Sequence, residues 1–462
     1  SGSCCPDNPP AFASDILSSC GDTAALPEDG RVRRELLSFI SSLASVYGDS
    51  FAALAHDRYE YIGLLIKRYF NGDPSEPLTD RLDRLVLNRF WAFPLLLAVL
   101  LSVFFIVFGT PGRYLGELLS TAVNIHLAGL ISAALNGMNA PVWLCRLVSQ
   151  GLLGGVSAVL AFLPQLSLLY LFLTLLEDSG LMARAAFLAD GPMRGIGMSG
   201  KAFIPMLMGF GCTVPAIMAT RTVSSDRDRK MTILLTPYMS CLAKIPIYAV
   251  FSAAFFPKHA ALVMIGLYVT GIILGIIVAL ILKNTAFRGN PVPFVMELPN
   301  YRLPSFKSVM LLLWEKARDF LERAFTVIFV ASIVIWFLRT FDTKLNVVED
   351  SSQSLLALVG RFIAPAFAPL GFGDWRAVTS LISGFTAKEA VVSTMAVLMG
   401  TSVNELGGAL SSLFTPLSAL SFLVFTLLYT PCVAAIATVR RELHSRGATL
   451  GVVLMQCGVA YL

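Results

Sequence analysis

Long apolar runs separated by short polar loops place the strongest limit on what this chain can fold into. A helix needs about 20 apolar residues to cross a lipid bilayer. Because lipid offers the backbone no hydrogen-bond partners, such runs form helices. The chain is 56% hydrophobic and only 14% charged, whereas soluble domains are roughly 25% charged. We therefore predict an all-α fold, a polytopic transmembrane helical bundle with about eight to ten membrane segments. The apolar runs lie at 91–109, 151–176, 202–220, 231–256, 261–282, 320–338, 376–400, 417–439 and 448–462.

The residues before the first run divide into two segments. Residues 1–30 are rich in Pro, Ser, Asp and Gly, which predicts a disordered segment or linker. Residues 31–90 place apolar residues at helical spacing among charges, which predicts cytoplasmic amphipathic helices. Residues 91–462 are then the transmembrane permease domain, with 113–136 as an interfacial or re-entrant helix. The Ser-Gly-Ser start and the short final run indicate a chain trimmed at one or both ends.

The charge distribution excludes nucleic acid as a partner and orients the chain. The net charge is only +5, and the basic residues gather in short loops, such as 221–230 and 283–318. Positively charged loops stay on the cytoplasmic side of a membrane. We therefore place both loops and the N-terminus in the cytoplasm, with lipid as the surrounding medium. The basic residues that precede the first run are Lys67, Arg68, Arg81, Arg84 and Arg89.

Helix-breaking residues inside three apolar runs mark the candidate site. Gly209, Gly211 and Pro215 fall close together in one run, and Pro237 and Pro431 interrupt two others. Proline lacks the amide N–H that a helix interior needs, so it frees a carbonyl one turn earlier. Irregular backbone at membrane depth is tolerated only where protein or a polar cavity satisfies it. The freed carbonyls are therefore candidate cation ligands.

A cysteine lies at each of these breaks. Of the eight cysteines, Cys212, Cys241 and Cys432 occupy these positions, and the overall spacing fits neither a disulfide scaffold nor a zinc ribbon. Thiolates bind Fe(II), Cu(I) and Zn, whereas Mg²⁺ and Ca²⁺ prefer oxygen. A single thiol in a membrane helix is more often a packed small hydrophobe. Three thiols at three breaks favour a metal path, and packed thiols beside simple kinks remain the alternative.

A weak internal repeat relates the breaks to one another. Gly-Phe in one run, followed by Thr-Pro and a cysteine in the next, occurs at 209–241 and again at 384–432. Paired repeats with interrupted helices place a transport site near the middle of the bilayer in many transporters. The order of these elements therefore predicts a transport protein with a site between two repeats.

The second copy contains an ionisable pair, Lys388-Glu389, inside an apolar run. A charge at the bilayer centre costs at least about 2.5–3.5 kcal/mol, so an ionisable residue there is expected to be functional. We predict that Glu389 binds a cation or carries a coupling proton. The structural alternative is a Lys388–Glu389 pair whose side chains reach the interface from a helix end.

Other polar features receive structural roles or none. Asp178 is predicted to pair with Arg184 or to cap a helix, and Gly271 and Gly275 are predicted to pack against another helix. The segment Gly195–Ala202 matches the pattern GxxxxGK, but a phosphate loop needs Ser or Thr where Ala202 stands, and a preceding strand. We therefore predict no bound nucleotide and no enzymatic activity for this chain. His126 and His259 receive no ligand role.

Several runs resemble the membrane domain of the ferrous iron transport protein B (FeoB) family, over roughly residues 60–462. They fall in the same order as in the family and read FLPQ (162–165), LEDSGLMARAAFL (176–188), GKAFIP (200–205), GFGCTVPAIMATRT (209–222), TPYMSC (236–241), GFTAKEAVVSTM (384–395) and YTPC (429–432). The family's membrane domain has two Gate repeats, which here would fall at about 150–256 and 320–440.

The resemblance implies Fe²⁺ uptake across the bacterial cell inner (cytoplasmic) membrane. It implies that Cys212, Cys241 and Cys432 line the iron path, and it gives Glu389 a less defined role. Family members carry an N-terminal GTP-binding domain, whose motifs this sequence lacks. The expected partners are therefore Fe²⁺, a separate or deleted GTPase domain and small accessory Feo proteins, and a homo-oligomer is left open.

Two other functions stay open at this point. One is a proton-coupled transporter of nucleosides or similar organic solutes of the Gate type, although the runs around Cys212 and Cys432 are poor in Asn, Gln and Trp. The other is a membrane thiol or redox sensor, in which the cysteines react and nothing is transported.

Overall fold

A computed structural model shows how these runs are arranged. The amphipathic segment expected before residue 59, the linker at 1–30 and the end of the expected interfacial helix lie outside the described residues. So do Cys4, Cys5, Cys20, Cys145 and His126. The structure describes residues 59–65, 79, 83, 84, 86, 88, 90–122, 148, 153–289, 299–302, 304–320, 322, 326–344, 346–348, 350–403 and 405–462.

The chain forms two compact units, 1–78 and 79–462. In the first unit, residues 59–65 are helical. The described part of the second unit is built from α-helices and short 3₁₀ turns, and its one β-type pairing there is an isolated bridge between Phe341 and Val347. The prediction of an all-α fold is confirmed.

The helices of the second unit follow one another with short connections. They are α1 (Ala92–Phe108), α2 (Thr110–Ala122), α3 (Leu153–Asp178), α4 (Leu181–Gly195), α5 (Phe203–Gly209), α6 (Thr213–Ala219), α7 (Asp226–Leu235), α8 (Ile245–Phe255), α9 (Ala260–Asn284), α10 (Phe306–Phe320), α11 (Thr326–Thr340), α12 (Leu355–Phe367), α13 (Trp375–Thr386), α14 (Ala390–Leu398), α15 (Leu406–Leu410), α16 (Pro416–Leu428), α17 (Val433–Leu443) and α18 (Arg446–Tyr461).

Several of these helices suit a membrane by length and composition. Within the described residues, three helical stretches could cross one: Asp226–Phe255, Ala260–Asn284 and Pro416–Leu443. The number rises to five if two sharply bent pairs, α3 with α4 and α12 with α13, each count as one span. The runs at 91–109 and 320–338 form the shorter apolar helices α1 and α11.

One part of this architecture differs from what the sequence indicated. Helix α12 was not among the expected segments, because Arg361 and Pro365 interrupt its apolar pattern. The bend of 105° between α12 and α13 then makes them a broken pair rather than two separate spans. The stretch at 177–201 contains the regular helix α4, which follows α3 at a bend of 81°.

The main core joins the helices of both halves. Aromatic rings from α8, α16 and their neighbours stack at its centre, with Phe251 and Phe422 having ring centroids 4.9 Å apart. Helix α9 packs closely against the turn at Thr236–Tyr238 because it presents glycine there. A Cβ at Gly271 would lie 2.8 Å from the Tyr238 carbonyl oxygen, and one at Gly275 3.2 Å from Met239. The packing role predicted for these two glycines is confirmed.

Candidate functional site

Each predicted ligand of the transport path lies where one helix has ended and the next begins. Cys212 immediately precedes α6, Cys432 precedes α17, and Glu389 precedes α14. Cys241 precedes the 3₁₀ turn Leu242–Lys244, which leads into α8. The first N–H groups of a helix have no partner within that helix. These four side chains therefore flank backbone donors and acceptors that ordinary helical pairing leaves free.

The backbone repeats itself at matched positions of the two halves. Cys212 has φ −148° and ψ 132°, and its counterpart Ala387 has φ −149° and ψ 128°. Cys241 has φ −73° and ψ 157°, and Cys432 has φ −62° and ψ 159°. Both copies thus break their helices in the same way, although only the first copy has a thiol at its Gly-Phe break.

In each copy of the repeat, close packing at one glycine brings the Gly-Phe break next to the Thr-Pro segment. A Cβ at Gly209 would lie 3.2 Å from the Thr236 methyl group, and one at Gly384 would lie 2.8 Å from the Tyr429 hydroxyl. Each glycine therefore lets the Gly-Phe helix touch the segment that contains the Thr-Pro pair.

The structure brings the cysteine breaks next to one another. The Leu242 N–H donates to the Gly211 carbonyl at 3.4 Å, which places the break before Cys241 beside the break before Cys212. Cys212 and Cys432 both pack against one small apolar cluster, formed by Val214, Ile217, Ile233, Ala434, Ala435, Val439 and Val452. All three thiols are free and half-buried. Among the described residues, no three His, Cys, Asp or Glu side chains are close enough to hold a metal ion together.

Two buried lysines donate hydrogen bonds to backbone carbonyls at the second Thr-Pro break. Pro431 cannot donate to the Leu427 carbonyl, and the Lys244 ammonium donates to it instead at 2.7 Å. The Lys388 ammonium donates to the Thr430 carbonyl at 2.8 Å and lies 3.0 Å from the centre of the Tyr429 ring. Lys388 is only 2% exposed, so the alternative in which it reaches the interface is wrong.

Lys244 was missed as a site residue in the sequence. A signal was present, because it is a lone cation in the apolar run 231–256, seven residues after Pro237. Its partner could not be identified, since Leu427 lies far away in sequence and meets it only in the folded chain.

A second charged group lies away from the breaks and corrects one prediction. Arg184 pairs with Asp83, not with Asp178, and its Nη2 lies 2.8 Å from Asp83 Oδ2. The same guanidinium donates to the Pro299 carbonyl and stacks over the Tyr301 ring at 3.8 Å. The hydrogen bond from Arg184 lowers the pKa of the Asp83 carboxyl below its ordinary value. Asp178 and Arg184 are separated because α3 ends at Asp178 and α4 begins at a sharp bend.

Known families match most of this architecture. A family model described as Gate, nucleoside recognition, matches residues 159–255 and 321–446, the two stretches that contain the breaks. A model described as ferrous iron transport protein B C terminus matches residues 264–316, between them. The chain belongs to the FeoB family, as a membrane-domain protein. No solved structure matches it.

Curated relatives in the FeoB family cover nearly the whole chain. The Fe(2+) transporter FeoB of Staphylococcus aureus strain COL is 37% identical over 420 residues, which is 89% of this chain and 63% of the relative. The Fe(2+) transporter FeoB of Methanocaldococcus jannaschii is 34% identical over 423 residues, 90% of this chain and 62% of the relative. A fusion of Fe(2+) transport protein A with Fe(2+) transporter FeoB in Porphyromonas gingivalis is 36% identical over 469 residues, covering 90% of this chain and 55% of the fusion. The chain thus spans less than two thirds of the length of these relatives.

Proposed function

We propose that this chain carries Fe²⁺ across the bacterial cytoplasmic membrane, through a path between the two repeats. The observation that carries the proposal is the position of three free cysteines at three adjacent helix breaks. The similarity to relatives named Fe(2+) transporter supports iron as the substrate. Cys212, Cys241 and Cys432 are the proposed ligands along the path, and Glu389 is proposed to bind the cation or carry a proton.

The chemistry of these ligands suits transient binding of Fe²⁺ during transport rather than permanent binding. Fe²⁺ is a borderline metal that accepts thiolate and oxygen ligands. Conduction requires binding that is favourable enough for entry and weak enough for release. Ligands spread over three breaks would bind iron in succession, which agrees with the lack of a closed three-ligand group among the described residues. Carbonyls near the breaks, other than those of Leu427 and Thr430 that already accept from lysines, would replace part of the hydration shell.

The breaks themselves are the proposed moving parts. Gly209 ends α5 and Gly211 follows it, whereas Pro215 lies inside the first turn of α6. Pro237 and Pro431 lie at the Thr-Pro segments. Such positions absorb changes in backbone angles at little cost while the helices on either side stay rigid. We propose that the two repeats rearrange about these points during transport.

The orientation and the partners complete the proposal. Because basic loops stay inside, the loop at 221–230 and the N-terminus are placed in the cytoplasm. No nucleotide is proposed to bind these residues, and a GTPase domain is proposed to act with them. The relative fused to Fe(2+) transport protein A supports a role for small accessory Feo proteins.

Anaerobic Fe²⁺ uptake into proteoliposomes tests this function. The purified chain should accumulate Fe²⁺, and Cys212→Ser should reduce the initial rate by at least about tenfold, because serine is a harder and poorer ligand for Fe(II). Cys457→Ser, which changes a half-buried thiol within α18 rather than at the start of a helix, is the matched control and should transport normally.

Two results would count against the proposed path or substrate. Undiminished uptake by a Cys212/Cys241/Cys432 triple serine variant would rule out the thiol path. If the wild-type chain transports nothing, the assay is repeated with a GTPase domain from an FeoB relative added in trans. Continued absence of uptake would then contradict the iron function.

Nucleoside transport is the second candidate, favoured by the match to a family model for nucleoside recognition. It predicts that nucleosides, and not divalent metals, compete for uptake by the same proteoliposomes. Inhibition of Fe²⁺ uptake by Mn²⁺ or Zn²⁺ but not by nucleosides would exclude it.

A further inference from the structure

An ion cluster at one end of the repeat interface surrounds the carboxylate of Glu442. Arg221 donates to Glu442 Oε1 from Nε at 2.9 Å and from Nη2 at 2.6 Å. Nη1 of Arg229 lies 3.5 Å from Glu442 Oε2. The Glu442 side chain is only 4% exposed. Both oxygens of this buried carboxylate thus face a guanidinium, and the side chains of Arg221 and Arg229 are 53% and 23% exposed.

The three charged residues belong to the three elements that lead to the cysteines. Arg221 follows α6, which begins directly after Cys212. Glu442 lies in the last turn of α17, which begins directly after Cys432. Arg229 lies on α7, which runs into the Thr-Pro turn that precedes Cys241. A single carboxylate therefore joins the far ends of all three elements.

The helix lengths place the ion cluster at similar distances from the thiols of Cys212 and Cys432. With a rise of 1.5 Å per residue, the path from Cys212 to Arg221 is about 14 Å and that from Cys432 to Glu442 about 15 Å. Val214 and Ile217 on α6 pack against Ala434, Ala435 and Val439 on α17 along the way. The two helices therefore lie side by side from the thiols to the ion cluster.

Local helix stability cannot hold this arrangement. Helix α6 has only seven residues, and isolated helices shorter than about 12–15 residues are marginal. Its position thus depends on what fixes its two ends and its packed face. The Glu442 carboxylate is buried, so loss of an arginine partner leaves a buried charge without compensation, which is unfavourable. The cluster is therefore an attachment at the far end.

We propose that Glu442 is a positioning residue that sets the spacing of Cys212, Cys241 and Cys432. The proposal deepens the proposed function, because these cysteines are its transport path. Loss of the carboxylate removes the charged contacts that join the far ends of α6, α7 and α17, so these ends shift and the thiols at the near ends become more accessible. If Arg221 or Arg229 exchanged Glu442 for another partner, the spacing of the three thiols would change although the thiols themselves would not.

Thiol alkylation in the metal-free protein tests the proposal. Rates of N-ethylmaleimide modification at each cysteine are followed by peptide mass spectrometry, in protein reconstituted into nanodiscs. Glu442→Gln should raise the rates at Cys212, Cys241 and Cys432 by about tenfold, because a charged hydrogen-bond network is lost. Cys457 on α18 should keep its wild-type rate, which distinguishes altered spacing from general loosening.

Variants of Arg221 and Arg229 test the two ion pairs of the cluster separately. Arg221→Met should raise the rates at Cys212 and Cys432, and Arg229→Met should raise the rate at Cys241 alone. Arg229→Lys retains the charge and should restore the wild-type rate. Lys230→Met is the matched control, because Lys230 is the neighbouring cation on α7 and pairs with Asp226, not with Glu442. It should change none of the rates.

Clear outcomes overturn the proposal. Rates within about twofold of wild type at all three cysteines in Glu442→Gln would do so, since a broken charged contact should have a larger effect. An equal rise at Cys457 would also do so, as would identical rates in Arg229→Met and Lys230→Met. If Glu442→Gln does not fold, the comparison of Arg229→Met with Lys230→Met decides alone. The assay contains no iron, so its result is independent of whether iron is the substrate.

Discussion

Single residues at the second Thr-Pro break show how the fold satisfies a carbonyl freed by proline. Lys244 and Lys388 approach this segment from different elements and donate to Leu427 and Thr430. A buried carbonyl without a donor costs about 1–3 kcal/mol, so the two ammonium groups stabilise the irregular backbone. They also occupy oxygens that would otherwise be open to a cation.

Replacing Lys388 tests this contribution to stability. Lys388→Met keeps most of the side-chain volume but removes the donor to Thr430 and the contact with the Tyr429 ring. We expect unfolding to become easier by about 1–3 kcal/mol, seen as a lower Tm in detergent. Lys258→Met, at an exposed lysine before α9, should leave the Tm unchanged. Equal Tm values for both variants would show that the Lys388 hydrogen bond contributes little.

At the scale of elements, the broken helices depend on close approach as much as on proline. The break after α13 contains no proline, yet α14 begins only three residues beyond it, at Ala390. Gly384, near the end of α13, contacts Val391 on α14 and Tyr429 at the end of α16. The turn is thus held by contacts with a neighbouring helix rather than by the local sequence alone.

A methyl group at Gly384 should therefore disturb the second break. Gly384→Ala forces a Cβ against Val391 and the Tyr429 hydroxyl, and overpacking of this kind costs about 1–3 kcal/mol. We expect a lower Tm and slower Fe²⁺ uptake in the proteoliposome assay. Gly451→Ala is the matched control, because Gly451 lies within α18 with open space around it. A Tm for Gly384→Ala as high as that of Gly451→Ala would contradict the close contact.

At the scale of the whole molecule, one ion pair ties together segments that are far apart in sequence. Arg184 is fully buried on α4 and contacts Asp83, which precedes α1, and the chain at 299–301, which precedes α10. Its charge has to be balanced, because an unpaired buried cation is strongly unfavourable. The Asp83 carboxylate supplies that balance.

The stability contributed by Asp83 should depend on pH in a defined direction. Its pKa is lower in the folded protein than the ordinary value of 3.8, because Arg184 donates hydrogen bonds to it. A lowered carboxyl pKa gives stability that is fully present above the unfolded value and is lost as the pH falls through the folded value. Asp83→Asn should therefore have a lower Tm than wild type at pH 7, and the difference should shrink below about pH 4.

Thermal unfolding of both proteins from pH 7 to pH 3 measures this difference. Asp226→Asn serves as the control, since Asp226 is a surface carboxylate whose partners Arg229 and Lys230 are both partly exposed. It should change the Tm by much less at every pH. A Tm difference for Asp83→Asn that stays constant with pH would contradict the ion pair as its cause.

The class of this protein and the positions of its helix breaks follow from the linear order of its residues. The length of the apolar runs and the scarcity of charged residues predicted membrane helices, because the lipid environment leaves the backbone few alternatives. Gly209, Gly211, Pro237 and Pro431 interrupt helices through their own backbone chemistry, so they could be read without knowledge of any neighbour. The motifs likewise indicated the FeoB family, because their residues and their order are properties of the linear chain.

The groups that meet one another depend on how distant helices pack. The partners of Lys244, Arg184 and Glu442 lie about 100–220 residues away along the chain, and pairings over such separations are set by helix packing rather than by local pattern. Helix α12 was hidden because Arg361 and Pro365 interrupt its apolar pattern. Both lie on its exposed side, while Leu356, Ala357, Gly360 and Ala364 face the protein interior. Local chemistry therefore fixes where a helix ends, and the packing of distant helices fixes which side chains come together at that end.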